Sequence, residues 1–407
     1  MASLAPNIAE RRVVRFPRTL RIPGALIAAS FLFAAAPGFA QTSDPRANVS
    51  ASERVQAEAY LRARSAYEAE AAAYWREVGD KRRVRNEKRR DNVSVMLADY
   101  VLEQPPVYSG PPRPPGPAAP PAPPRPPMPV VADFLKAAAE EFGFVPRRPA
   151  NELEFKRAYA RAAMEAGLTR EQAVGIYAFE TGGNGAYDTQ AGLLGKGTRA
   201  ISPALGYNQL LSTNTVGLLA EHGDKLIEQL VHKAEATTGT PKAALLGKIA
   251  AFRRMVVFSR TVPNRWSEHD RLAKTTAGGL GIHAALLDLD LGPWLQARKL
   301  VNSVLFARSK GHREMLTAAE LELMNFTGDG NGIDMVSMPA TLRARVPTAN
   351  FFQQEGYERN PIARRTAVVA ALIESIETSA ERGARAQGAR DLAGAFVDMA
   401  PTTAGNR

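Results

Sequence analysis

Apolar residues recur every three to four positions through residues 130–399, and no stretch there alternates between apolar and polar positions over more than a few residues. The first spacing is typical of helices and the second of strands. The pattern therefore predicts an all-α domain that is large enough for a sizeable core. The predicted helices are Ala132–Phe142, Asn151–Ala166, a helix from Thr169 to Glu180, Asn214–Glu221, Asp224–Ala236, Thr240–Ser259, Trp294–Lys310, Thr317–Met324, Arg364–Arg382 and Gln387–Val397.

The helix that ends at Glu180 carries the candidate chemistry. Thr169 and Gln172 match a capping box, the run Ala173–Phe179 is largely apolar, and Gly182-Gly183 stops the helix. A carboxylate at the negative end of a helix dipole, partly buried among apolar neighbours, has a raised pKa. A general acid needs this property because it must hold its proton near neutrality. The alternative is a solvated glutamate at a helix end.

Two short motifs in this order resemble the lytic transglycosylases of the lysozyme superfamily. Glu180-Thr181-Gly182-Gly183 is similar to the family's helix-ending Glu-Ser-Gly turn, and Ser202 to Leu210 (SPALGYNQL) is similar to its Ala-x-Gly-x-x-Gln-Leu turn. The chain departs from the family at Tyr207-Asn208, where Leu-Met is usual. The third family motif, a Tyr-Asn-Ala-Gly turn, has only a loose counterpart in Asn325 to Gly328, which lacks the tyrosine.

The resemblance implies a lysozyme-like helical domain that cleaves the MurNAc–GlcNAc bond of peptidoglycan glycan strands without a cofactor or metal. It implies that Glu180 is the general acid/base and that Gly206 and Gln209 belong to the turn at the substrate cleft. Tyr357 lies in a segment, Gly356 to Pro361, whose aromatic and amide groups suit either sugar binding or loop packing. The candidate substrate-binding residues are Thr181, Gly206, Tyr207, Asn208, Gln209, Asn325 and Tyr357.

Two other functions stay open from the sequence. A lysozyme-type hydrolase would use water in place of the sugar 6-hydroxyl, with Asp188 or another acid as its base. A non-catalytic peptidoglycan-binding protein would have kept the fold without the activity. Asp329–Asp334 resembles a calcium loop, but Ile333 and Asp334 break the EF-hand pattern at its fifth and sixth positions, so we expect a polar turn there.

Residues 1–40 match an export signal. Five arginines precede the apolar run Gly24–Ala36, and Gly38-Phe39-Ala40 fits a cleavage site. An uncleaved membrane anchor is the alternative reading. The chain contains no cysteine, so disulfides and thiol chemistry are excluded. We therefore expect a periplasmic protein, with secretion as the alternative, and no nucleic-acid partner, although the formal net charge is +11.

The segment between the signal and the domain divides in two, and the chain ends in a short tail. Residues 41–104 are rich in Ala, Glu and Arg and predict an exposed helical hairpin or self-associating arm, broken at Gly79-Asp80. Within it, Lys81–Arg90 is strongly basic, which suits a solvated face or an anionic wall or membrane surface. Residues 105–129 contain 14 prolines in 25 positions and predict an extended spacer. Residues 400–407 are predicted to be a disordered tail.

Overall fold

The computed structural model describes residues 51–91, 93–114, 127–192 and 200–398. The predicted export signal (1–40) and the tail (400–407) lie outside the described residues, as do the middle of the proline-rich segment and residues 193–199. Within the described ranges, no helix combines the length and apolar character needed to cross a membrane.

The fold is all-α, as predicted, and the described residues contain three isolated β-bridges but no strand. In this part of the chain, three short 3-10 helices, Leu97–Asp99, His283–Leu287 and Thr348–Phe351, join the longer elements. The α-helices of the described part are α1 (Ala51–Arg90), α2 (Val131–Phe142), α3 (Glu152–Glu165), α4 (Arg170–Thr181), α5 (Ser212–Glu235), α6 (Gly239–Ser259), α7 (Trp266–Thr275), α8 (Ala277–Ile282), α9 (Gly292–Ser309), α10 (Ala318–Thr327), α11 (Asp329–Val336), α12 (Ala340–Arg343), α13 (Gln354–Arg359), α14 (Pro361–Arg365), α15 (Val369–Ala384) and α16 (Gln387–Val397).

Two predicted helix boundaries differ from the structure for physical reasons. The break expected near Gly223 is absent, and α5 is continuous. A Cβ at Gly223 would lie 2.5 Å from Val256 of α6, so this glycine serves close helix packing instead of a turn. The helix predicted over Arg364–Arg382 is divided into α14 and α15, because Val369 donates a main-chain hydrogen bond to Val346 at 3.0 Å and holds the intervening chain extended.

Two buried clusters form the core, and α9 connects them. The first core contains residues of α3, α4, α10, α15 and α16, such as Ile176 and Leu321. The second core contains residues of α2, α5, α6 and α8, such as Phe252. Helix α9 contributes Leu300 to the first and Leu295 to the second. The helices of the two cores meet along α9, and a cleft lies between them.

The arm differs from the predicted exposed hairpin because it packs onto the body of the protein. Helix α1 runs through Gly79-Asp80 without a break. Tyr74 and Val78 on α1 form a small buried cluster with Val101 and Ala349. Burial of these side chains is what stabilises the docked arm.

The basic run Lys81–Arg90 takes part in this docking. Arg85 is only 1% exposed and donates hydrogen bonds to the carbonyls of Asp99 at 2.9 Å and Asn350 at 3.1 Å. Arg82 donates to the carbonyls of Asn350 and Phe352, and Arg89 forms an ion pair with Asp334. The run is therefore only partly a solvated face, with Arg83 and Arg90 among its exposed members.

The described first part of the proline-rich segment lies along α1, a contact that the predicted extended spacer did not include. The Tyr108 ring lies between Tyr60 and Tyr67, with centroids 6.2 and 5.6 Å away. Tyr74 donates its hydroxyl hydrogen to the carbonyl of Glu103 at 3.2 Å. The three α1 tyrosines are seven residues apart, a spacing that places them on one face of the helix.

Candidate active site

Helix α4 fixes Glu180 from both of its ends. At the start, Thr169 and Gln172 form the predicted capping box, with hydrogen bonds of 3.0 and 3.1 Å. At the end, Gly182 and Gly183 have φ of +63° and +77°, which glycine adopts readily. A Cβ at Gly183 would lie 1.9 Å from the carbonyl oxygen of Gly383 on α15. The second glycine therefore also allows α4 and α15 to approach closely.

The second motif forms a tight turn between Leu205 and Leu210, whose main chains exchange two hydrogen bonds of 3.0 Å. Gly206 has φ of +82°, and Gln209, with φ of +43°, is the one non-glycine residue with positive φ among those described. The Gln209 amide donates to the carbonyls of Thr189 at 3.0 Å and Gly206 at 2.7 Å, which stabilises this conformation. Backbone strain of this kind concentrates at functional sites.

The two motifs line one cleft of about 990 Å³ between the cores. Four of the predicted residues, Glu180, Thr181, Gln209 and Asn325, are brought together there. The other lining residues of the described chain are Thr189, Gln190, Ala191, Gly192, Ser202, Ala204, Leu211, Asn214, Trp266, Lys299, Phe326, Thr327, Gly328 and Asp329.

Glu180 has the electrostatic character of an acid that keeps its proton. Burial raises its pKa to about 8, although hydrogen bonds with Glu322 and Asn325 act in the opposite direction. Asn325 donates its side-chain Nδ2–H to Glu180 Oε1 at 2.8 Å. Near neutrality the Glu180 carboxyl is therefore largely protonated, and an amide group holds one of its oxygens.

Glu322 is a site residue that the sequence analysis missed. It lies on α10, one turn before Asn325, and its carboxyl is within hydrogen-bonding reach of Glu180. The residue is 1% exposed, and burial together with the Glu180 carboxyl raises its pKa well above the ordinary value. The available signal was a glutamate three residues before Asn325 in an otherwise apolar stretch, Leu321 to Met324, of a helix.

The cleft also presents groups suited to a polar, ring-shaped ligand. Trp266 is 58% exposed, so a large part of its ring is accessible. Gln190 is buried, and its Oε1 has no hydrogen-bond partner among the described residues. Lys299 Nζ lies 3.1 Å from Ser303 Oγ and 3.5 Å from Asp329 Oδ1. An aromatic face and a cation are groups by which proteins hold sugars and their acidic substituents.

Asp329–Asp334, considered above as a calcium loop, forms most of α11 instead of the predicted polar turn. Asp334 at its end is paired with Arg89 of the arm. Within the described ranges there is no group of three or more His, Asp or Glu side chains placed to hold a metal ion.

Tyr207 and Asn208 support the turn from behind and do not line the cleft. Both are fully buried, and the Tyr207 hydroxyl donates to Glu152. Asn208 accepts from the Tyr159 hydroxyl at 2.9 Å and donates to the carbonyl of Gln296 at 3.0 Å. These contacts give both residues a positioning role.

The remaining candidates lie away from the cleft lining. Tyr357 packs against Trp75 of the arm and Phe352, with ring centroids 5.6 and 6.3 Å away. Asp188 is paired with Arg148 at 2.5 Å and is not among the lining residues. Gly206 contributes to the site through its backbone conformation.

Comparisons with protein-family models, curated proteins and solved structures found no match to this chain.

Proposed function

We propose that this protein is a peptidoglycan lytic transglycosylase-like enzyme that cleaves the MurNAc–GlcNAc bond with Glu180 as its one general acid/base. The observation that carries the proposal is the Glu180 carboxyl, whose pKa is raised to about 8, on the wall of a cleft of about 990 Å³. Lytic transglycosylases, which the two motifs resemble, need one carboxyl of this kind, whereas most glycosidases need two.

In the first half of the reaction, the Glu180 carboxyl gives its proton to the glycosidic oxygen as the bond to the muramic C1 breaks. The N-acetyl group of the same sugar stabilises the positive charge at C1. The Trp266 face offers a stacking surface for a neighbouring sugar ring.

In the second half, the Glu180 carboxylate takes the proton of the 6-hydroxyl, whose oxygen attacks C1 and closes a 1,6-anhydro ring. The carboxyl is then restored for the next cycle. Asn325 supports both halves because its amide N–H bonds to either form of the Glu180 carboxyl. Gln209 acts by holding the turn in its strained conformation, since its amide hydrogens are used within the protein.

Mass spectrometry of sacculi incubated with the protein tests the proposal. The expected product is a muropeptide that ends in 1,6-anhydro-MurNAc and is lighter by one water than the hydrolysis product. A reducing-end product would instead show lysozyme-type hydrolysis. Sedimentation with sacculi without release of any fragment would favour the non-catalytic binding protein. Glu180→Gln is the control because it keeps the shape of the side chain but cannot donate a carboxyl proton.

A further inference from the structure

The environment of Glu322 requires explanation because a buried carboxylate without donors is unstable. Glu322 is 1% exposed, and neither carboxyl oxygen accepts a well-formed hydrogen bond from any N–H or O–H group of the described residues. The polar groups beside it include another carboxyl, that of Glu180, and the Asn325 amide. Two carboxyls in such contact must share at least one proton.

The charged and titratable groups that face Glu322 indicate which carboxyl keeps the proton. Glu180 approaches from α4, Lys299 from α9 and Tyr159 from α3, and the described residues contain no ion pair of Glu322. Lys299 is directed to Ser303 and Asp329. The Asn325 amide donates a 2.8 Å hydrogen bond to Glu180, which also faces the cleft. Asn325 lowers the pKa of Glu322 as well, but no well-formed hydrogen bond reaches either Glu322 oxygen and the residue does not line the cleft, so Glu322 is the more difficult of the two to ionise.

We propose that Glu322 is a positioning residue that stays protonated and donates its O–H to the Glu180 carboxyl from the protein side. This inference rests on the proposed function of Glu180 as the general acid/base. Together with Asn325, it places two hydrogen-bond donors, one turn apart on α10, around one carboxyl of α4. The two donors fix the orientation of Glu180 and stabilise the carboxylate that forms between the two proton transfers.

The proton balance of the cycle is kept without Glu322 exchanging its own proton. Glu180 loses its proton to the glycosidic oxygen and recovers one from the 6-hydroxyl. The Glu322 O–H bond stays intact in both steps and only its hydrogen bond to Glu180 strengthens when Glu180 is charged. Glu322 has no path to the substrate because it is buried and absent from the cleft lining.

The same geometry separates this pair from the carboxyl pair of ordinary glycosidases. Those enzymes hold their carboxyls about 5–5.5 Å apart when retaining and about 6.5–9.5 Å apart when inverting, with the sugar between them. Glu322 lies beside Glu180, is 1% exposed and is absent from the cleft lining, so a sugar in the cleft cannot lie between the two carboxyls. Glu322 is thereby excluded as the base of a lysozyme-type hydrolysis.

Carbon-13 NMR of the full protein, labelled at the glutamate side-chain carboxyls, tests the proposal without any substrate. The Glu180 and Glu322 signals are assigned by their loss in Glu180→Gln and Glu322→Gln. In the unaltered protein, the Glu180 carboxyl should lose its proton at a lower pH than the Glu322 carboxyl. In Glu322→Leu, which removes the donor, the pKa of Glu180 should rise by about one unit or more. In Glu322→Gln, the amide N–H replaces the donor, and the pKa of Glu180 should return toward the parental value.

Activity on sacculi gives the second readout. Glu322→Leu should lower kcat more than it changes KM and should move the alkaline limb of the pH profile upward, while Glu322→Gln restores both in part. Glu374→Gln, which removes an exposed carboxyl on α15, is the matched control. It should change neither kcat nor the pH profile. Titration of Glu322 before Glu180, or the same Glu180 pKa in all three proteins, would overturn the proposal. The expected titrations without digestion of sacculi would keep the positioning role and reject the proposed enzyme function.

Discussion

Asn325 donates a hydrogen bond of 2.8 Å to Glu180, across 145 residues of sequence. The bond joins the end of α4 to α10 and brings two distant segments of the chain into direct contact. A side-chain amide is a suitable partner for an acid/base residue because it donates to the carboxyl in either protonation state. It cannot itself take up the proton, so the proton stays with Glu180.

Glu180→Gln should abolish most of the activity and leave the fold intact. An amide has the shape of the carboxyl but cannot transfer a proton, and loss of a general acid/base costs about 10²–10⁴-fold in rate. Release of anhydro-muropeptides from sacculi measures the rate, and circular dichroism verifies the helical content. Digestion at the parental rate would contradict the assignment of Glu180.

Asn325→Leu should lower kcat by roughly tenfold or more, because one hydrogen bond to a charged group contributes about 1.5–3 kcal/mol. The lost bond stabilises the charged form of Glu180 more than the neutral form, so the pKa of Glu180 should rise. The alkaline limb of the pH profile should therefore move to higher pH. Asn302→Leu on α9, outside the cleft lining, is a matched control. Equal rates for the parent and Asn325→Leu would show that the 2.8 Å contact has no catalytic role.

The stability of the protein should fall as the pH rises through the window set by Glu180. Its pKa is 4.5 in an unperturbed chain and about 8 in the fold. Between these values the folded protein holds a proton on Glu180 that the unfolded chain releases, so this group makes the free energy of unfolding decrease with pH. The contribution of Glu180 levels off above about 8, while Glu322, whose pKa is also raised, continues the decline at higher pH. The slope from this group is about 1.4 kcal/mol per pH unit.

Urea unfolding at intervals from pH 4.5 to 9 measures this dependence. Glu180→Gln should show a shallower decline, because an amide does not titrate. Parallel curves for the two proteins would mean that the fold does not raise the pKa of Glu180.

Arg85→Leu should destabilise the protein by about 1–3 kcal/mol. The substitution leaves the buried carbonyl of Asp99 without its donor, and buried acceptors that lose a partner cost about this much. Arg83→Leu is the matched control, because Arg83 is 72% exposed at its side chain and pairs with Asp80 at the surface. It should change stability by no more than about 0.5 kcal/mol. Equal denaturant midpoints for the two variants would argue against a docked arm.

Adhesion of the run Lys81–Arg90 to an anionic wall or membrane stays a prediction, and the structure identifies the arginines that can test it. Arg82 and Arg89 are engaged within the protein, so replacing them would disturb the docked arm. Arg83 and Arg90 are exposed. If the run binds such a surface, Arg83→Gln with Arg90→Gln should weaken co-sedimentation with anionic vesicles, most clearly at low salt. Unchanged sedimentation would mean that the run serves the fold alone.

The sequence predicted the elements whose determinants are local. The all-α class follows from apolar spacing, and the α4 boundaries follow from Thr169 with Gln172 at one end and Gly182 at the other. Asn208 and Glu322 show what local patterns cannot supply. Each is polar in sequence and buried in the structure, because its partners come from helices α3, α9 or α4, far along the chain.

The docking of the arm is a second feature that local sequence patterns did not predict. The seven basic residues of Lys81–Arg90 predicted solvation, because most charged runs are solvated. Instead, the main-chain carbonyl of Asn350, in the 3-10 helix Thr348–Phe351, accepts hydrogen bonds from Arg82 and Arg85. Asp334 forms an ion pair with Arg89. Carbonyl acceptors are present at every residue and leave no mark in a sequence, so this docking surface could not be predicted.

The contacts of Asn350 have a consequence for the order in which the chain folds. Its side chain accepts from the Val101 main chain and its carbonyl accepts from Arg82, across 249 and 268 residues respectively. During synthesis from the N-terminus, α1 is therefore complete long before its partner exists. Contacts of such long sequence separation form late and slowly. The arm must remain undocked, with Tyr74 and Val78 not yet packed against Ala349, until most of the polypeptide has been made.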